Sequence, residues 1–206
     1  MSACMLVCGR FHGTSLESMS TPPPAIQVRH ARHDELPAVQ RLADVIWHAH
    51  YPGIITQEQI GYMLERGYAV EVLAGFLGRP DRGLLLAEID GEPAGFAAWC
   101  LTDDPDEAKL DKLYVLPSHQ RRGLGGRLIR RVAELARVSG ATTLILNVNK
   151  HNTQAIRAYE KHGFAVRAAV ATDIGSGFVM DDLVMARLLQ SGDDLPPPPP
   201  DANIRR

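Results

Sequence analysis

At 206 residues, 45% of them hydrophobic and 22% charged, the chain is sized for one ordinary domain with extensions, and wholesale compositional disorder is excluded. Its 22 Lys and Arg against 24 Asp and Glu leave a net charge of -2, so nothing general draws it to nucleic acid or an anionic membrane, and any anion site must be local. Three cysteines (Cys4, Cys8, Cys100) exclude a disulfide framework, and no apolar run approaches the roughly 18 residues of a bilayer span; with only Cys4 to Val7 resembling a signal core, the expectation is a soluble cytoplasmic protein.

Eight of the 14 prolines fall in two runs, Pro22 to Pro24 and Pro196 to Pro200, which flank the part of the chain with hydrophobic periodicity. They divide it into an N-terminal extension (1–25), a folded domain (26–190) and a proline-rich tail (191–206) that favours extended polyproline II. Met19 opens the sequence MSTPPP and would serve as an alternative start of translation; the intact mass of the native protein distinguishes the two.

Within the domain, Ile26 to Ala31 alternates apolar and polar residues as a half-buried strand does. Leu36, Val39, Leu42, Ala43, Ile46 and Trp47 recur at helical spacing, and Tyr51-Pro52-Gly53 ends that helix. Thr56 should cap a second helix, with Gln59 returning a bond three residues on in a capping box. A short helix is expected near Ala69 to Leu77. Leu84 to Ile89 and Ala94 to Leu101 are strands joined by Asp90-Gly91, a pair suited to the positive φ angles of a tight hairpin. Leu110 to Leu116 is a strand ended by Pro117, and Leu124, Leu128, Ile129, Val132, Leu135 and Ala136 trace one face of the helix that follows, up to Gly140. Thr143 to Val148 reads as a strand, and Thr153 to Lys161 as a helix closed by Gly163. Two last strands, near Ala165 to Thr172 and Phe178 to Leu188, turn at Gly175-Ser176-Gly177. The order βααβββαβαββ defines an α/β fold with a mostly antiparallel front and a βαβ crossover in its second half.

The chemistry concentrates in Leu113-Tyr-Val-Leu-Pro-Ser-His-Gln-Arg-Arg-Gly-Leu-Gly-Gly126, where a strand turns into a glycine-rich helix start. Glycines there let the backbone approach a ligand, and first-turn amides without internal partners make an anion site at the positive end of the helix dipole. A dinucleotide fingerprint GxGxxG fails because position 128 is Leu, and a GxxxxGK[ST] phosphate loop is absent. What remains is Gln-x-x-Gly-x-Gly from Gln120 to Gly125.

In this spacing the chain resembles the GCN5-related N-acetyltransferase (GNAT) superfamily, whose pyrophosphate loop reads Gln/Arg-x-x-Gly-x-Gly/Ala after a strand of Leu-Tyr-Val type. A second segment, Asn152-Thr-Gln-Ala155-Ile-Arg-Ala-Tyr159-Glu-Lys-His-Gly163-Phe164, is similar to that family's Asn-x-x-Ala-x-x-x-Tyr-x-x-x-Gly-Phe. The resemblance implies a mixed sheet with splayed fourth and fifth strands and acetyl-CoA as co-substrate. It implies backbone donors to the pyrophosphate at Arg121, Arg122, Gly123, Leu124, Gly125 and Gly126, and backbone partners for the pantetheine at Leu113 and Val115. The Val115 amide would also serve the thioester oxygen. Asn152 and Ala155 would line the other wall, and Tyr159 would protonate the leaving thiolate.

A base to deprotonate the acceptor ammonium is not singled out. Asp111 neighbours the acetyl site but lies between Lys109 and Lys112; Glu88 sits on an adjacent strand; His48 and His50 diverge on a helix and suit capping or surface roles better. No HExxH or paired-cysteine spacing suggests a metal. Arg127, Arg130, Arg131 and Arg137 lack interleaved aromatics and read as a solvated face rather than a nucleic-acid surface. The implied activity is transfer of an acetyl group to a primary amine by direct attack, the acceptor a small molecule. Acetylation of a protein N-terminus or lysine, or acyl-CoA sensing without turnover, are the rivals. A homodimer is left open.

Overall fold

In the computed structural model, which describes residues 24–189, seven strands and five α-helices follow in the expected order, the short helix near Ala69 to Leu77 among them, with two 3-10 turns at His33–Glu35 and Pro117–His119. They are β1 (Ile26–His30), α1 (Leu36–His50), α2 (Gln57–Tyr68), α3 (Val70–Ala74), β2 (Arg82–Ile89), β3 (Glu92–Leu101) and β4 (Glu107–Val115), then α4 (Leu124–Val138), β5 (Thr143–Asn149), α5 (Thr153–Glu160), β6 (Ala165–Gly175) and β7 (Phe178–Leu188). Residues 1–23 and 190–206, which contain Met19, Cys4, Cys8 and Pro196 to Pro200, lie outside the described residues, as do most of the two expected extensions. No helix among the described residues is long and apolar enough to cross a membrane.

The strands form one sheet in the order β1-β2-β3-β4-β5-β7-β6, antiparallel except where β5 joins β4. The β2–β3 hairpin turns on Asp90 (φ 52°) and Gly91 (φ 85°), both left-handed as a two-residue turn of this hand requires. One face of the sheet is covered by α4, whose Leu124, Leu128, Ile129 and Val132 bury against Leu85, Ala97 and Leu144. The other face receives α1, α2 and α3, with Trp47, Ile60 and Leu73 packed on Leu84, Leu86 and Phe96.

Two features of the sheet matter for the site. The first is a bulge in β4. Ala98 pairs with Lys112 and the next residue, Trp99, with Leu110, so Asp111 has no opposite number and the strand bends there. The second is a divergence. β4 and β5 pair only at Glu107–Thr143, Ala108–Leu144 and Lys109–Ile145, after which β4 continues with β3 as far as Val115 and β5 continues with β7 as far as Asn149. The expected splay is therefore present, and it opens at the bulge. β4 itself begins three residues earlier than hydrophobicity suggested, because Glu107 to Lys109 are the residues that carry the parallel pairing.

β3 and β4 must come close where β4 leaves the sheet. A Cβ added at Gly95 would stand 2.6 Å from the Tyr114 carbonyl oxygen and 3.2 Å from the Val115 Cα, both backbone atoms that cannot swing aside. Gly95→Ala should therefore destabilise the domain by about 1–3 kcal/mol, the usual range for overpacking, read as a lower midpoint in urea unfolding with unchanged slope.

At the second helix the capping box is half made. The Thr56 hydroxyl accepts from the Gln59 amide at 3.1 Å, as expected. The Gln59 side chain does not return to Thr56. It is buried and donates to the Val179 carbonyl at 3.4 Å, with Met180 Sδ at 3.8 Å, because tertiary packing offers it partners that the exposed cap does not.

Candidate active site

Where β4 and β5 part, a cavity of about 620 Å³ opens, lined by both motif segments together with α1, α2 and the β6–β7 hairpin. Its first wall is the end of β4. The Leu116 amide donates to Ala94 of β3 at 2.9 Å, and the Tyr114 carbonyl also lies against β3, so by the alternation of an antiparallel ladder the backbone groups of Leu113 and Val115 face the gap. The Val115 carbonyl is taken by Gln120 Nε2 at 3.2 Å, which ties the following loop back to the strand. The Val115 amide and both backbone groups of Leu113 are left facing the cavity, beyond the last β4–β5 pair.

The loop after β4 folds back through two left-handed residues, Arg121 (φ 60°) and Gly123 (φ 84°), and Gly123 occupies the N-cap of α4 without a side-chain cap. The Arg127 amide donates to the Gly123 carbonyl at 3.1 Å, so the amides of Leu124, Gly125 and Gly126 are the orphan donors of the first turn. Arg121 and Arg122 are exposed beside them. A Cβ at Gly123 or Gly125 would meet nothing within 4 Å, whereas at Gly126 it would lie 2.8 Å from the His162 ring. Gly123 and Gly125 thus face open space and Gly126 is small to admit His162. Burial, with the charges of Arg130 and Arg187, lowers the pKa of that imidazole and keeps it neutral against the helix start.

The facing wall comes from β5 and α5. Asn152 is buried at the N-cap of α5 and accepts from the Ala155 amide at 3.2 Å, which fixes both residues on the cavity edge. One turn on, Tyr159 sets its ring edge-on to Phe164, centroids 5.8 Å apart. Its hydroxyl has no hydrogen-bond partner among the described residues. Burial, reinforced by Tyr51, moves its pKa above the ordinary tyrosine value, so the phenol stays protonated.

The far end of the cavity is aromatic. Trp47 lies 4.3 Å from Tyr51, 5.5 Å from Tyr68 and 5.9 Å from Tyr114 by ring centroids, and the Tyr51 and Tyr114 hydroxyls are 3.4 Å apart. Helix α2 and the β6–β7 hairpin close this end together. Tyr62 donates to the Ile174 carbonyl at 2.5 Å and packs on Phe178, beside the Gln59 bond to Val179. Gly175, Ser176 and Gly177 all take positive φ, the turn expected between the last strands.

The four groups weighed as bases separate clearly. Glu88 is committed to Arg29, whose Nε reaches it at 3.1 Å, and it does not line the cavity. His48 is exposed, with Nδ1 2.9 Å from the Asp44 carbonyl of its own helix. His50 lines the cavity, edge-on to Tyr51. Asp111 lines it too, but Lys112 at 2.6 Å and Lys109 at 3.3 Å hold it; burial works to raise its pKa, and the two ammonium groups outweigh burial and keep it low. Such a carboxylate is a weak proton acceptor.

The sequence reading missed Asp182, the one other carboxylate on the cavity wall. It sits on β7 opposite Asn149, is only 5% exposed, and its Oδ1 has no hydrogen-bond partner. The signal was present: Asp182 falls in phase with Phe178, Met180, Val184 and Ala186 on an otherwise apolar face of the strand, a place where an acid is costly unless used.

The sequence profile of the Acetyltransferase (GNAT) family matches residues 42–164, more than half the chain, which belongs to this family. The uncharacterised N-acetyltransferase Rv2669 of Mycobacterium tuberculosis is 32% identical over 138 residues, which cover 67% of this chain and 87% of that protein. The streptothricin acetyltransferase of Streptomyces lavendulae is 40% identical over 85 residues, 41% of this chain and 45% of its own. Among solved structures, a PaiA N-acetyltransferase from Thermoplasma acidophilum in complex with coenzyme A superposes with a TM-score of 0.70 at 24% identity, over 80% of this chain and 99% of the other.

Proposed function

We propose that the protein transfers the acetyl group of acetyl-CoA to the amine of a small molecule, by direct attack with both substrates held in the cleft between β4 and β5. The observation that carries this reading is the cleft itself: an opened sheet with free Val115 and Leu113 backbone groups, continuous with an uncapped helix start whose Gly123 and Gly125 leave room for a diphosphate. When bound, acetyl-CoA supplies an acyl carbon activated by its thioester. The chain's own groups do the rest. The amides from Arg121 to Gly126 hold the diphosphate, and Leu113 and Val115 pair with the pantetheine arm as a substitute strand. The Val115 amide receives the charge that grows on the acyl oxygen. Asn152 and Ala155 hold the opposite side, and Tyr159 gives its proton to the departing sulfur.

A small acceptor is favoured over a polypeptide by the far end of the cavity. There α2 and the β6–β7 hairpin are joined through Tyr62 and Gln59, so an extended chain would have to part them. The name of the Streptomyces relative, an acetyltransferase for streptothricin, agrees with a small acceptor. Reaction in a single ternary complex, without an acyl-enzyme, requires no activated nucleophile, and proximity supplies much of the acceleration.

Free-thiol release on incubation with acetyl-CoA and a panel of alkylamines, arylalkylamines, polyamines, amino acids and short peptides tests this. Release is expected with small amines and not with peptides. Peptide-dependent release would assign a protein acetyltransferase. Tight binding of CoA without release from any acceptor would assign a sensor.

A further inference from the structure

We propose that Asp182 is the carboxylate that receives the acceptor's ammonium group and takes its proton, an assignment that rests on the acetyltransfer reading above. Three observations carry it. Asp182 lines the cavity yet is only 5% exposed, and its Oδ1 is buried without a partner. A buried, half-satisfied carboxylate is costly, and a cationic N–H donor is the group that would satisfy it. The cavity's other carboxylate, Asp111, is already engaged by Lys109 and Lys112. Finally, Asp182 lies within electrostatic reach of Tyr51, one of the aromatic residues that line the same cavity.

The charged and titratable groups around it come from each neighbouring element. Lys109 of β4 favours its ionised form, as does a hydrogen bond from the Asn147 side chain of β5; Asp181 on its own strand opposes it; Tyr51, at the end of α1, lies within electrostatic reach. Burial is the largest influence and raises its pKa above the ordinary carboxylate value, which makes it a better proton acceptor than Asp111. The step balances. R–NH3⁺ gives one proton to the Asp182 carboxylate, which later passes it to water. The neutral nitrogen forms the N–C bond as the C–S bond breaks. The second nitrogen proton replaces the one that Tyr159 gives to sulfur, so the products are the amide, the free thiol and one proton.

The test uses Asp182→Asn in the full chain with benzylamine, an amine whose ring suits the aromatic end. At pH 7 we expect kcat/KM to fall about 100-fold or more, acetyl-CoA affinity to hold within about twofold, and the deficit to shrink as pH nears the amine's own pKa, where the base is no longer needed. The Asp182 carboxyl carbon, labelled with ¹³C and assigned by its loss in the variant, should shift when benzylamine is added to wild type. Activity within about threefold of wild type, a deficit that does not vary with pH, or a carboxyl signal indifferent to benzylamine would each overturn the assignment. Should wild type release no thiol with any amine, the acetyltransfer reading fails on its own, and the carboxyl signal still decides whether Asp182 meets the ammonium. Misfolding is separable, because removing a buried charge should raise the thermal midpoint. The sign follows from the raised pKa: wild type loses stability as pH climbs from the unfolded carboxyl pKa, near 3.8, toward the folded one, and the variant lacks that loss.

Discussion

Tyr159→Phe should cut turnover by about 100-fold or more while leaving acetyl-CoA affinity and thermal stability nearly unchanged. The ring is what holds residue 159 in place, edge-on to Phe164, and phenylalanine keeps that contact. The hydroxyl has no partner among the described residues, so its loss leaves no donor or acceptor stranded. Only the proton is missing. Because burial places the phenol's pKa above the ordinary tyrosine value of 10.0, wild-type kcat should show no descending limb from Tyr159 below about pH 10. The measurement is a pair of kcat profiles with calorimetric titration of acetyl-CoA. Equal turnover in the two proteins would remove Tyr159 from the chemistry, and a drop confined to affinity would make it a binding residue.

The second large effect separates Gly123 from Gly125. Both face open space, but Gly123 has φ 84° and Gly125 does not take a positive angle. Gly123→Val should lose on two counts. A branched residue is forced into the left-handed region at a cost of about 1–3 kcal/mol, and its side chain enters the room left for the diphosphate. Gly125→Ala adds one methyl to an ordinary helical residue, so the fold should gain up to about 1 kcal/mol from helix propensity. Acetyl-CoA should nonetheless bind at least about tenfold more weakly, the equivalent of roughly 1.4 kcal/mol lost at the helix start. Thermal unfolding and CoA titration on both variants would show opposite stability changes with the same direction in affinity. Undiminished affinity in Gly125→Ala would mean that the diphosphate is held elsewhere.

Local chemistry was the legible part of this fold. Asp90-Gly91, Thr56 and Gly163 act through φ angles and caps within a few residues, and amphipathic spacing located α1 and α4 because their cores are one-sided. The glycine loop and the Asn152-to-Tyr159 segment were legible for a similar reason: each is a contiguous run whose spacing is set by one turn of helix. What escaped notice depends on pairing between distant strands. The bulge at Asp111 exists only relative to β3, Gln59 exchanges its cap for a partner on β7, and Asp182 becomes a cavity residue only because β7 lies beside β5. Asp111 illustrates the limit best. Its neighbours in sequence, Lys109 and Lys112, foretold that it would be neutralised, but not that the bend it marks would open the sheet.

That opening has a mechanical side. Besides three parallel rungs, the junction between the β1–β4 and β5–β7 portions is helped by the Thr142 and Thr143 amides, both reaching the Asp106 carbonyl at one edge. Helix α4 also spans the joint, packing on Leu85 and Ala97 on one side and on Leu144 on the other, and an occupant that bonded to both lips of the wedge would act as a splint. Stability of the whole domain would then rise with ligand concentration, with the two sheet portions melting together once the cleft is filled.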